Sequence, residues 1–235
     1  MRKSHKFRSR DQACAYNNSF ASARQRRNGR QRSRRVRGGQ RNERLPFVPP
    51  EDWHEPSEDD QDNDSYKIIT QPPGAGYCHV VTPEEIRGRL RELPKTMSKP
   101  LEVIQLSRMT RKKKSFPCYG MQWGAALYLY PLEDSRVEYF DYPPKPLQYS
   151  EARMYGGRWE TDGYGGWILT WSEAAIKDYY LNNILIHELG HLLDDRNTSY
   201  LDRERFAEWF AIEYGYRFSR NHRMQRAVRR RHHAR

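Results

Sequence analysis

One stretch of this 235-residue chain indicates both a fold and a chemistry: residues 187–208, which read HELGHLLDDRNTSYLDRERFAE. Around its first half, large apolar residues recur at helical spacing, at Leu181, Leu185, Leu189 and Leu192. This stripe, preceded by Ser172 as a cap, predicts one long helix over about residues 173–194. A short polar loop follows, and Ser199 would cap a last helix over about residues 200–218.

Two histidines and a glutamate in the predicted helix form the pattern His-Glu-x-x-His at residues 187–191. Residues four apart on a helix share one face, so both imidazoles point the same way and can bind one tetrahedral zinc ion. Glu188 lies beside the first histidine, within reach of a water on the metal rather than of the metal itself. This pattern is typical of metalloproteases. We therefore predict His187 and His191 as metal ligands and Glu188 as the general base.

A catalytic zinc site needs a third protein ligand and one open position. The next predicted helix offers Glu204 and Glu208, which are four residues apart and so share a face. One of them would bind the metal, and the other would hydrogen-bond a ligand histidine and fix its orientation. The residues by themselves leave open which glutamate takes which role, and they also fit an ordinary solvated helix face.

The two motifs together resemble the zincin metallopeptidases, and within them the gluzincins, whose third ligand is a glutamate on the following helix. The local pattern is similar to that of the anthrax lethal factor catalytic domain family, H-E-x-G-H-x-x-D-D and then E-x-F-A-E. It stands here at residues 187–195 and 204–208. The resemblance implies a Zn²⁺ cofactor, hydrolysis of a peptide or protein substrate, and Glu204 as the third ligand.

The resemblance also implies two further roles. Tyr200 would stabilise the oxyanion, and residues 165–171, which read GGWILTW, would form the edge strand beside which an extended substrate lies. The gap between His191 and Glu204 is shorter than in the family. If so short a turn cannot bring Glu204 to the metal, Glu208 becomes the ligand.

The residues before the motif predict one helix followed by several short strands. Thr82-Pro83-Glu84-Glu85 carries the signals of a helix start, and this helix should stop before Pro94. Alternating apolar residues predict strands at 101–107, 125–130, 136–142 and 165–171, with a turn at 131–135 and a solvated loop at 111–114. This order predicts an α+β fold. The resemblance implies a zincin-like domain: a small mixed sheet with an edge strand, an HExxH active-site helix and a C-terminal glutamate-bearing helix.

Charge divides the chain into regions. Residues 1–44 hold 15 Lys/Arg and 2 acidic residues, residues 45–64 hold 8 acidic residues and no Lys/Arg, and residues 217–235 hold 8 Arg and no acidic residue. We predict a disordered basic tail at 1–44, an acidic, proline-rich linker at 45–65, one domain at 66–218 and a basic tail at 219–235.

Several classes of protein do not fit this sequence. No apolar run approaches the roughly 20 residues of a membrane-spanning helix, and no apolar stretch follows the basic start as in a secretory signal. The cysteines, Cys14, Cys78 and Cys118, lack C-x-x-C spacing and predict neither a disulfide framework nor a cysteine zinc site. We therefore expect a cytoplasmic protein that does not engage the membrane.

The leading hypothesis is thus a zinc-dependent peptidase. The alternative is a nucleic-acid-associated binding protein with an inert zincin-like domain, because Arg-rich ends can neutralise the phosphates of a nucleic acid or another polyanion. The two roles are compatible, as in a protease that acts on proteins bound to nucleic acid. A toxin-like effector is a third hypothesis, which the likeness to lethal factor allows.

Overall fold

The structure is a computed structural model that describes residue 50, residues 66–115 and residues 118–221. The predicted tail 1–44, nearly all of the linker 45–65 and most of the tail 219–235 lie outside the described residues. The described part is α+β, as predicted, with small sheets and several helices. Within it, no helix combines the length and the apolar character that crossing a membrane would require.

The strands pair in three groups. They are β1 (Lys67–Thr70), β2 (Tyr77–Cys78), β3 (Val103–Leu106), β4 (Gly120–Trp123), β5 (Ala126–Leu129), β6 (Leu132–Glu133), β7 (Val137–Phe140), β8 (Arg158–Thr161) and β9 (Trp167–Thr170). The largest sheet has the order β1-β3-β5-β4, in which β4 alone runs antiparallel and lies at one edge. The pair β2-β6 and the antiparallel sheet β7-β9-β8 are smaller.

The helices begin at side-chain caps where the sequence offers them. They are α1 (Pro83–Arg91), α2 (Lys95–Ser98), α3 (Arg111–Ser115), α4 (Pro146–Met154), α5 (Glu173–Tyr179), α6 (Leu185–Leu193) and α7 (Tyr200–Phe210). Thr82 and Glu85 form the predicted capping box at α1, and the helix ends before Pro94. Ser172 and Ser199 cap α5 and α7 by accepting backbone N–H groups, which confirms both predicted helix starts.

The predicted long helix is continuous but not uniform. A π-helical stretch, Tyr180–Ile184, joins α5 to α6, and we call it the first π segment. A second π segment, Ala211–Arg217, extends α7. The two π segments pack against each other, and α6 packs against α7 and against strands β4 and β5.

The core lies on both faces of the β1-β3-β5-β4 sheet, because strand residues alternate between faces. Ile104, Leu127 and Leu129 face the helices and join the main hydrophobic cluster with Leu185 and Leu189 of α6. The opposite face carries a smaller cluster: Val103, Cys118, Met121, Ala126, Tyr128 and Tyr130.

Two local predictions are wrong. Residues 111–114 are not a solvated loop but part of α3, and Lys113 is only 9% exposed: its ammonium donates to Cys118 Sγ at 3.0 Å and lies over the Tyr130 ring. The turn at 131–135 is shorter than predicted, because Leu132–Glu133 form β6. Strands β5 and β7 therefore belong to different sheets.

The predicted edge strand is also misplaced. Residues Trp167–Thr170 form β9, which is the central strand of its sheet and is paired on both sides, with β7 and with β8. The hairpin between β8 and β9 is closed by Asp162, whose Oδ1 accepts the backbone N–H groups of Tyr164 and Gly166. The edge strand that lies against α6 is β4 instead.

Candidate metal centre

Three buried side chains converge where α6 and α7 pack together. His187 Nε2 and His191 Nε2 lie 3.1 Å apart. The carboxylate of Glu204 faces both rings, with Oε2 3.6 Å from the first nitrogen and Oε1 3.4 Å from the second. Among the described residues, this trio is the group of histidine and acidic side chains whose ligand atoms could hold one metal ion.

The spacing of these atoms fits a tetrahedral metal. Zinc binds histidine nitrogen and carboxylate oxygen at about 2.0–2.1 Å, so two ligands of a tetrahedron lie about 3.3–3.4 Å apart. The two histidine nitrogens lie 3.1 Å apart, and each has one oxygen of the Glu204 carboxylate near that distance, Oε1 at 3.4 Å from His191 and Oε2 at 3.6 Å from His187. Each of the three side chains is nearly fully buried, and buried charges without a bound cation or full hydrogen bonding are costly. The donor set therefore suits Zn²⁺.

The close approach of α6 and α7 depends on Gly190, within the HELGH motif. A Cβ at this position would lie 3.0 Å from Ala207 Cα and 3.1 Å from Phe210 Cβ, tighter than ordinary contacts. The turn between the helices is held by Asp194, whose carboxylate accepts the backbone N–H groups of Arg196 and Asn197. A short turn is thus sufficient to bring Glu204 back to the histidines.

Glu188 points toward the edge strand β4. Its side chain is fully buried, and a Cβ on Gly120 of that strand would lie 2.8 Å from Glu188 Oε1 and 2.9 Å from its Cγ. Only a residue without a side chain lets the strand pass this close to the carboxylate. The strand and the predicted base are therefore in direct contact.

Burial and the neighbouring charges shift the pKa values of the side chains in the cluster. Burial raises the pKa of Glu188 to about 8, against the opposing effect of His187. Burial alone would lower the pKa of His187, but the carboxylates of Glu204 and Glu188 outweigh it and raise that pKa. Burial, with the cations at His187 and Arg203, lowers the pKa of His191 well below its usual value. A neutral imidazole at His191 is the form that binds metals.

The remaining predicted site residues lie around this cluster rather than in it. Glu208 lies one turn after Glu204, and its Oε1 is buried without a hydrogen-bond partner among the described residues. The predicted hydrogen bond, in which a ligand histidine would donate to the Glu208 carboxylate, is not seen at this oxygen, and His191 Nδ1 also lacks a partner among the described residues. Tyr200 is the first residue of α7, one turn before Glu204. Its role in stabilising an oxyanion stays a prediction.

Two residues near the cluster were not predicted. Gly120 adjoins Glu188, and Glu151 of α4 faces His187 closely enough for their charges to interact. The Glu151 carboxylate accepts a hydrogen bond from the side chain of Asn183, and burial raises its pKa. No local signal marks either residue, because each reaches the centre only through the tertiary fold.

No family model, no curated protein and no solved structure matches this chain.

Proposed function

We propose that the chain is a zinc-dependent peptidase with a zincin-like domain. In this proposal His187, His191 and Glu204 hold the metal, and Glu188 is the general base. The observation that carries it is the convergence of three buried side chains, with the two imidazole nitrogens 3.1 Å apart and one oxygen of the Glu204 carboxylate 3.4–3.6 Å from each. A fourth buried side chain, the acidic Glu188, lies next to them.

The two glutamates have different proposed roles because they occupy different positions in the site. Zinc, when bound in such a site, supplies Lewis acidity and lowers the pKa of a coordinated water to about 7. Glu204 faces both imidazoles and suits a ligand, whereas Glu188 lies outside the trio and against β4. Glu188 would take the proton of the attacking water on its carboxylate and return it to the leaving amine.

The edge strand β4 is the proposed docking site for the substrate. Among the described strands it pairs on one side only, with β5, and it adjoins the carboxylate of Glu188. An extended peptide could add to its open side through main-chain hydrogen bonds, which favours a peptide or protein substrate. This takes the role that the sequence had suggested for residues 165–171.

Metal content tests the site directly. We expect about one zinc per chain by elemental analysis of the purified wild type, loss of zinc in Glu204→Ala, and retention of most of it in Glu208→Ala. Loss in Glu208→Ala alone would make Glu208 the third ligand. Absence of zinc from the wild type, even after dialysis against it, would refute the metal site.

Activity is tested by Glu188→Gln, which keeps the shape of the side chain and removes the base. The variant should retain its zinc and lose about 10²- to 10⁴-fold in turnover on a peptide found by library screening. Wild-type turnover in this variant would reject Glu188 as the base.

A second role is favoured by the charge distribution. Residues 1–44 carry a net charge of +13 and residues 217–235 a net charge of +8. We propose that these ends attach the protein to nucleic acid, with an affinity that falls steeply with salt. Binding to a DNA or RNA duplex should survive the double variant His187→Ala/His191→Ala. Salt-independent binding, or none, would refute this role.

A further inference from the structure

We infer that Arg203 is a positioning residue that holds the helix carrying the two histidines in register with the helix carrying Glu204. The inference rests on the proposed metal site. Arg203 immediately precedes Glu204 on α7, and its guanidinium reaches across to the end of α6. One terminal nitrogen donates to His191 O and the other donates to Asp194 O, both at 2.9 Å.

The end of α6 needs such a partner. The last carbonyl groups of any helix lack partners within it, and a glycine cap or a cation commonly supplies what is missing. Here the chain leaves the helix at Asp194, whose backbone is extended, and no glycine is present to cap it. A guanidinium satisfies two carbonyls at once and places a positive charge at the negative end of the helix dipole.

The two carbonyls are informative about function because one belongs to a proposed ligand. Arg203 is itself the neighbour of Glu204, and its side chain donates to the backbone carbonyl of His191. A single side chain thus ties the two proposed ligands together. The carboxylate of Asp194 meanwhile holds the turn through Asn197. Without the guanidinium, the two helices would still be linked by the turn, but their ends could slide relative to each other.

The experiment compares three variants in the whole 235-residue chain. Arg203→Met keeps much of the stem and removes the donors. Arg203→Lys keeps the charge but cannot present a planar fork to two carbonyls. The matched control is Arg205→Met, because Arg205 lies on the same helix with a 67% exposed side chain and pairs with Asp202 at the surface.

The dissociation constant for zinc is measured by competition with a chelator, and the visible spectrum of the cobalt(II)-loaded protein reports the coordination geometry. We expect Arg203→Met to bind zinc about 10- to 100-fold more weakly, as for other residues that support metal ligands, and Arg203→Lys to recover only part of that loss. The tetrahedral cobalt bands should weaken in Arg203→Met and stay unchanged in Arg205→Met. A purely structural role would lower the unfolding midpoint without changing this spectrum.

The outcomes separate the inference from the proposed function. Unchanged zinc affinity and cobalt spectrum in Arg203→Met, with zinc bound by the wild type, would overturn the inference alone. An equal loss in Arg205→Met would also overturn it, by assigning the effect to charge on the helix. Failure of the wild type to bind zinc would overturn both. If Arg203→Met does not fold, Arg203→Lys and its cobalt spectrum decide by the same criteria.

Discussion

At the scale of single residues, Gly190 controls the distance between the histidine helix and the glutamate helix. In Gly190→Ala the new methyl group would press on Ala207 Cα and Phe210 Cβ, so α7 must move by a few tenths of an ångström. We expect zinc to bind about tenfold more weakly, a loss within the range known for residues that support metal ligands. Competition with a chelator measures this.

The control for Gly190→Ala is Gly88→Ala. Gly88 also lies within a helix, and a Cβ there would meet nothing within 4 Å. Both variants gain about 1 kcal/mol of helix propensity, so only a change of packing distinguishes them. Wild-type zinc affinity in Gly190→Ala would show that α7 does not depend on this close contact.

Substitution of Gly120 should have a different effect, on turnover rather than on metal binding. In Gly120→Ala the new methyl group would collide with Ile184 Cγ2 and with Glu188 Oε1, at 2.7 and 2.8 Å. Displacing a base or a substrate strand by even 1 Å can cost about 10²-fold in rate. We therefore expect a loss of that order in kcat with zinc content unchanged, measured by peptide hydrolysis and elemental analysis. A variant that lost its zinc instead would contradict this division of roles.

These residues also show what local sequence can and cannot predict about the site. His187, Glu188 and His191 share one helical turn, so their spacing alone indicates a metal centre. Gly120 and Glu151 come from distant elements, and their positions depend on how the sheet and α4 pack against α6. No spacing rule connects such residues to the motif. They become visible only in three dimensions.

At the scale of the elements, the two π segments pack against each other and adjoin α6 and α7, the helices that carry the proposed metal ligands. Asn182 of the first segment accepts a hydrogen bond from Arg89 Nε on its side chain and one from the Tyr155 hydroxyl on its carbonyl. Arg89 also donates to the carbonyl of Tyr214 in the second segment. The wider turns of a π-helix free such carbonyls for outside partners, and π stretches often lie near functional sites.

The contact between the π segments predicts a severe effect for Gly215→Ala. A Cβ on Gly215 would collide with the carbonyl oxygen of Asn182, which is backbone and cannot rotate away. We expect the free energy of unfolding to fall by about 3 kcal/mol or more, at or above the top of the usual range for overpacking. A urea titration measures the change in midpoint, and a variant as stable as the wild type would show that the segments can separate without cost.

The elements differ in how well the sequence predicts them, for a physical reason. Helix starts at Thr82, Ser172 and Ser199 depend on local capping bonds, and all are found where predicted. The π segments, the short strand β4 and the central position of β9 depend on tertiary partners instead. An alternating apolar pattern indicates a strand, but it does not reveal which neighbours the strand pairs with.

At the scale of the whole molecule, metal binding should be linked to stability. A ligand that binds only the native state stabilises it by about 2.7 kcal/mol at 100 times its dissociation constant. For a folded unit of about 150 residues this raises Tm by about 5–10 °C. We expect that shift in thermal unfolding between chelator-treated and zinc-loaded wild type. Glu188→Gln should retain the shift and His191→Ala should lose it; an equal shift in His191→Ala would place the bound zinc elsewhere.

The short turn after α6 has a consequence for the order of folding. All three proposed ligands fall between residues 187 and 204, so assembling them closes only a small loop and costs little chain entropy. The parallel strands β1, β3 and β5 join residues much farther apart along the chain, and such non-local pairings form slowly. The hairpin of α6 and α7 can therefore gather its ligands early in folding. The strand that would receive a substrate is completed only after the sheet has assembled.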